Sequence, residues 1–263
     1  MDEKKGNWSV TSEIRAEQKA ALKNMKAKAK LAYYWEYYRI HALVAIISIV
    51  VGISLIYNIA NNKDYSFYAL IINSFHSSGE EMAEEFSEFS GLDNERLKCF
   101  IEADMVFNVD EFSTYEIAAV QRIAATVMAG DLDVMITDAH TFIYFSDSEF
   151  FVDLRSVLSE AALKQYQDHL FYIDQATLDK KNAEVSFSEY LDIEIKTFEQ
   201  RMTEIESRGR PEHMTTPIPV GIFLTDTSMN EAYYENSFPV FGIIGSSGRL
   251  DSAVMYLEFL FSE

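Results

Sequence analysis

Cysteine and positive charge are what this 263-residue chain has least of. One thiol, Cys99, excludes an intramolecular disulfide and any metal knuckle built from several cysteines. Lys and Arg total 22 against 42 Asp and Glu, a formal net charge of −20. Such acidity argues against nucleic acid as a partner, because each phosphate contact needs a basic side chain. Catalytic signatures are missing too. There is no H-E-x-x-H, H-x-H or C-x-x-C spacing, no G-x-S-x-G elbow, no phosphate-binding G-x-x-x-x-G-K and no S-x-x-K. Nucleophilic and phosphoryl-transfer chemistry therefore finds no support, and neither an enzyme nor a cofactor is expected. What is plentiful is apolar surface: 48% hydrophobic and 14% aromatic residues suffice for a folded core.

Charge is distributed in three blocks. Residues 1–39 carry nine Lys or Arg and five acids, residues 40–62 carry none of either, and residues 63–263 carry 13 basic against 37 acidic groups, a net −24. The uncharged run from Ile40 to Asn62 has 23 residues. At about 1.5 Å each they make roughly 35 Å of helix, enough to cross a hydrocarbon layer of about 30 Å. Tyr33, Tyr34, Trp35, Tyr37 and Tyr38 precede it as an aromatic belt. Lys23, Lys26, Lys28, Lys30 and Arg39 lie on the same flank, whereas Lys63 alone follows before the acids begin. The positive-inside rule then places the N-terminus in the cytoplasm and the acidic body outside, in a single pass through the cell membrane. The alternatives are a buried core helix and a cleaved signal peptide. Against the second, the head is long for an n-region, and Asn58-Ile59-Ala60 is a poor small-x-small site. No Cys near the run offers a lipid anchor. An uncleaved signal-anchor fits best, with residues 1–39 a cytoplasmic juxtamembrane helix capped at Thr11 or Ser12 and continuing into the span.

The body reads as alternating strands and helices. Strands are expected at Ser66–Asn73, Leu97–Phe107, Asp133–Thr137, Tyr190–Ile195, Pro219–Thr225 and Pro239–Gly245. Between them fall a helix with Met82, Phe86 and Phe89 on one face and Gly91 as its stop, and a second capped by Ser113 or Thr114 and closed by Gly130. Phe150–Leu170 and Lys196–Glu206 also read as helical, and a last helix follows Ser246-Ser247-Gly248. This order predicts an α/β, three-layer domain with a largely parallel sheet and right-handed crossovers.

Three segments resemble the extracytoplasmic, periplasmic-type solute-binding proteins that feed transporters. They are Gly130-Asp131-Leu132-Asp133-Val134, Phe151-Val152-Asp153-Leu154, and Phe238–Ser247 with the helix that follows. The head and span resemble those of single-pass surface proteins of Gram-positive bacteria. The resemblance implies a periplasmic-binding-like fold and a non-catalytic role. Only about 75 residues separate Thr141 from Pro217, which implies a reduced second lobe within about 145–216.

In a doubly wound sheet, ligands gather beyond the carboxyl ends of the strands. The candidate ligand-binding residues there are Asn73, Ser74, His76, Ser77, Asp138, His140, Thr141, Ser246 and Ser247. Taken singly, each hydroxyl and carboxylate is accounted for by helix capping, and each His by a solvated loop. Glu80, Glu81, Glu84, Glu85 and Glu88 read as a solvated helix face and not as a calcium site, since a straight helix splays its ligands. The function these features favour is a membrane-anchored domain that binds a small molecule or peptide without catalysis. The alternative is an interaction protein that docks a membrane or envelope partner and has no small-molecule ligand. Beyond these, the partner that follows from the sequence is the lipid bilayer.

Overall fold

The computed structural model describes residues 12, 16–17, 19, 26–61, 64–76, 78–94, 96–111, 113–184, 196–235 and 237–262. Residues 1–62 and 63–263 form two separate compact units. In the first, helix α1 (Ala27–Asn61) runs without a break through the apolar stretch. Its segment Tyr38–Tyr57 has a mean hydropathy of 2.5 and no buried residue, so by length and composition it is long and apolar enough to cross a membrane.

The second unit is built on β1 (Asp64–Ile72), whose residues from Ser66 onward are all buried. A strand with both faces covered needs apolar residues at every position. Phe67, Ala69 and Ile71 enter one core, while Tyr68, Leu70 and Ile72 enter the other. The first core is closed by α2 (Glu80–Ser90) and α9 (Leu250–Leu260). There the Phe67 ring lies 4.8 Å from Phe86 and 4.7 Å from Tyr256. The second is closed by α3 (Thr114–Ala129) and α4 (Ala139–Ser146), through Ile123, Val127, Phe142 and Phe145. Each such side chain contributes about 1.5–3 kcal/mol by leaving water. Helix, sheet and helix make the three expected layers.

Among the described residues the sheet has six strands in the order β2-β1-β3-β6-β5-β4. Here β2 is Leu97–Met105, β3 Val134–Asp138, β4 Leu170–Asp174, β5 Pro217–Phe223 and β6 Pro239–Ile243. Both β2 and β3 run parallel to β1, but β6 is antiparallel to β3, β5 to β6 and β4 to β5. The expectation of a largely parallel sheet thus describes the β2-β1-β3 half, and four of the six strands share one direction. The other half alternates, so the sheet is mixed. Its cause is the chain path: β6 enters beside β3 from the end where β3 finishes, pairing Asp138 with Pro239 and Val134 with Ile243.

The stretch read as a helix from Phe150 to Leu170 is broken. Phe151 bridges to Ile244, Asp153 caps a short 3-10 turn (Leu154–Ser156), and Ser159 caps α5 (Glu160–Gln165). Leu170 then opens β4. After β4 come α6 (Gln175–Glu184) and, beyond residue 196, α7 (Phe198–Arg208) with a complete Thr197–Gln200 capping box. Within 145–216, the described residues therefore join the common sheet and its layers. The strand expected at Tyr190–Ile195 lies outside the described residues. A short helix, α8 (Ser228–Tyr234), completes the unit.

Candidate functional site

The strand-end residues fall into two groups at opposite ends of the sheet. At the carboxyl ends of β1 and β3, Asn73 takes a left-handed conformation (φ 61°), which Asn tolerates better than most residues. Its side chain is then aimed across the sheet. Nδ2 donates to Phe107 O at 2.9 Å, Asp138 Oδ2 at 2.8 Å and Thr141 Oγ1 at 3.0 Å, while Oδ1 accepts from Phe107 N at 2.7 Å. Asp138 is no loop residue: it caps α4, accepting from Thr141 N at 3.0 Å. His140 and Thr141 accordingly stand in the first turn of that helix. Asn73, Asp138 and Thr141 thus form a brace that ties β1, β2 and α4 together, and they spend most of their hydrogen-bonding capacity on one another.

Around this brace the remaining candidates are spread out. His140 Nε2 lies 3.6 Å from Asp110 Oδ1, and Arg201 from α7 pairs with the other oxygen of Asp110 at 2.6 Å. Ser74 Oγ accepts from His76 N at 3.0 Å. His76 is exposed, with its ring 4.6 Å from that of Tyr233. Ser77 lies outside the described residues.

Tyr234, which periodicity does not single out, sits beneath this end of the sheet. Its fully buried hydroxyl donates to Ile72 O at 2.7 Å, with Ile136 O as a second acceptor at 3.1 Å. Burial, reinforced by the nearby Asp138 charge, pushes this phenol well above the usual tyrosine range. Its signal in the sequence is only the Tyr233-Tyr234 pair in a seven-residue helix, too short for a periodic pattern.

Ser246 and Ser247 do not join this cluster, which corrects the expectation that all nine residues converge. Because β6 runs against β3, its carboxyl end lies beside the start of β3, about 16 Å of strand away at roughly 3.3 Å per residue. Ser246 Oγ donates to Val127 O at 2.5 Å, and Ser247 Oγ donates to Asp133 Oδ1 at 2.5 Å. Asp133 is fully buried and also accepts from Tyr68 N at 2.8 Å and Arg249 Nε at 2.9 Å. Burial raises its carboxyl above the usual range, against the lowering pull of Ser247 and Arg249. The Gly130–Val134 motif and the Ser246–Arg249 turn are therefore two halves of one internal fastening.

Cavities among the described residues lie elsewhere. One, of about 210 Å³, is bordered by Phe151, Glu149, Gln175 and strands β4 and β5. Another is an open depression along α7 lined by Thr197, Gln200 and Glu204. Among the described residues, no group of three or more His, Cys, Asp or Glu side chains is placed to hold a metal ion. The five glutamates of α2 are exposed, as a solvated face requires.

No family model matches the chain, and no curated protein matches it. Among solved structures, the chain is similar to one described as Trichodesmium IdiA (FutA) in complex with iron and citrate ligands. The two are 13% identical, with a TM-score of 0.34 over 73% of this chain and 80% of that one.

Proposed function

We propose that this chain is a single-pass membrane protein whose residues 63–263 form an extracytoplasmic, non-catalytic binding domain of solute-binding type. The observation that carries the reading is the pairing of the unburied apolar segment Tyr38–Tyr57 with a body that has two cores of its own. A helix of that hydropathy left in water would expose a patch far above the few hundred Å² that soluble proteins tolerate. The Lys and Arg residues on the N-terminal flank of the span support an orientation with the head inside. The body's net charge of −24 keeps it soluble at the cell surface and repels anionic polymers. The polar side chains at the strand ends support the absence of catalysis, because they are committed to each other and to the backbone.

The test is fractionation with protease treatment of intact cells. The full chain should stay in the membrane pellet after alkaline extraction, and external protease should degrade the body while sparing the head. Recovery in the aqueous lysate, or a body untouched by external protease, would overturn the proposal.

A second reading, docking of an envelope or membrane protein, is favoured by one specific feature. Phe75 is 63% exposed and Val106 61% exposed, both just beyond strands that end beside the Asn73 brace. Cross-linking from cysteines placed at these two positions, compared with a thermal-shift screen of solutes, separates the two readings. Partner adducts with no solute response favour docking.

A further inference from the structure

The cavity beside β4 and β5 has the size and the charge of a small-solute site, and no strand-end candidate borders it. Its volume is about 210 Å³, with Phe151, Ile173 and Val220 on the apolar side and Glu149, Asp153 and Gln175 on the polar side. Sites for drug-sized molecules begin at about 300 Å³, so this one suits a solute of few heavy atoms.

The carboxylates around it are not equivalent. Asp153 is neutralised by Arg155, which donates from Nε at 2.9 Å and from its terminal nitrogen at 2.6 Å. Asp147 pairs with Lys181 at 2.6 Å. Glu149 has only the Gln175 amide, at 3.4 Å, and among the described residues no Lys or Arg pairs with it. An uncompensated carboxylate at the edge of a partly apolar pocket attracts a cation.

We propose that this cavity binds a small organic ammonium cation, with Glu149 as its counter-charge and Phe151, Ile173 and Val220 as its apolar wall. The assignment rests on the reading of residues 63–263 as a non-catalytic binding domain, and it moves the site from the strand ends to the β4–β5 side of the sheet. The body's net charge of −24 favours capture of such a ligand and disfavours anions.

Thermal unfolding of the full chain in lipid nanodiscs tests the proposal, with choline, ethanolamine and putrescine as probes and dimethylbutanol as the uncharged isostere of choline. At a hundredfold excess over Kd, a bound amine should raise Tm by about 5 °C, and dimethylbutanol should not. Glu149→Gln should weaken the response at least tenfold. Glu149 holds a φ of 57°, where glycine is the ordinary occupant, so Glu149→Gly should keep or raise the basal Tm while losing the response. That divergence of stability from binding is one a merely structural role would not produce. No rise with any of the three amines, or an equal rise in Glu149→Gln, overturns the assignment. Amine silence strikes this site alone, whereas the binding-domain reading falls separately, on the protease result.

Discussion

Asp133 and Asn73 show how a residue can look like a ligand group while acting as a fastener. Asp133 is fully buried with three donors on its two oxygens, and Arg249 among them pairs with it from the part-exposed side. Asp133→Asn turns an amide NH2 towards these donors and leaves one of them unpaired, so it should lower unfolding stability by about 1–3 kcal/mol in urea titrations. The pH dependence has a definite sign. Burial raises the folded carboxyl above 3.8, so its contribution is fully present below that value and declines as pH rises through the raised one. The Asn variant lacks this decline, and its stability should therefore climb more steeply than wild type from pH 3.8 upward. Parallel curves would mean that the carboxyl is not held as the geometry requires. Asn73→Asp makes the complementary test, because it swaps the donor facing Asp138 Oδ2 and Phe107 O for a carboxylate oxygen. The expected loss is about 2–3 kcal/mol, read from the denaturant midpoint. A ligand-contacting Asn73 would instead leave the midpoint in place and change only a solute response.

At the level of elements, β6 decides how the sheet is read. Gly242 near its end packs against the edges of two stacked rings, those of Phe142 and Phe151, whose centroids are 4.3 Å apart. A Cβ there would stand 2.6 Å from Phe151 and 2.7 Å from Phe142. Gly242→Ala should thus cost about 1–3 kcal/mol by overpacking, measurable as a lowered urea midpoint with an unchanged slope. An unshifted midpoint would show that the rings have room to move. The same strand explains why the fold was more legible than the site. β1, β2, β3, β5 and β6 announce themselves as apolar runs, and Ser113, Gly91 and Gly130 mark helix ends where the structure has them. Strand direction leaves no local trace, however. An apolar run such as Pro239–Ile243 reads the same whether it pairs parallel or antiparallel, so the sequence alone does not place Ser246 and Ser247 at the end opposite the Asn73 brace. β4 was hidden for another reason. Its five residues follow a chain of short turns whose Ser, Glu, Ala and Leu content mimics one long helix.

For the whole molecule, the separation into an apolar helix and an acidic body with closed cores has a direct consequence. Each strand of the body finds its partners within residues 63–263, and both cores are filled from that segment alone. Residues 63–263 produced without the helix should therefore fold and remain in the aqueous phase, whereas the full chain should sediment with membranes. Cys99 provides the readout, since it is the chain's one thiol and is 7% exposed. Burial pushes that thiol up to about 11, with Asp93 adding to the rise, so at pH 8 it is both shielded and protonated. Alkylation by iodoacetamide should be at least a hundredfold slower in the native fragment than in urea, because the reactive thiolate is scarce and reached only on opening. The rate should also match that of the full chain in nanodiscs. Immediate labelling of the fragment, alongside a protected full chain, would mean that the body depends on its apolar helix for folding and is not an independent domain on a tether.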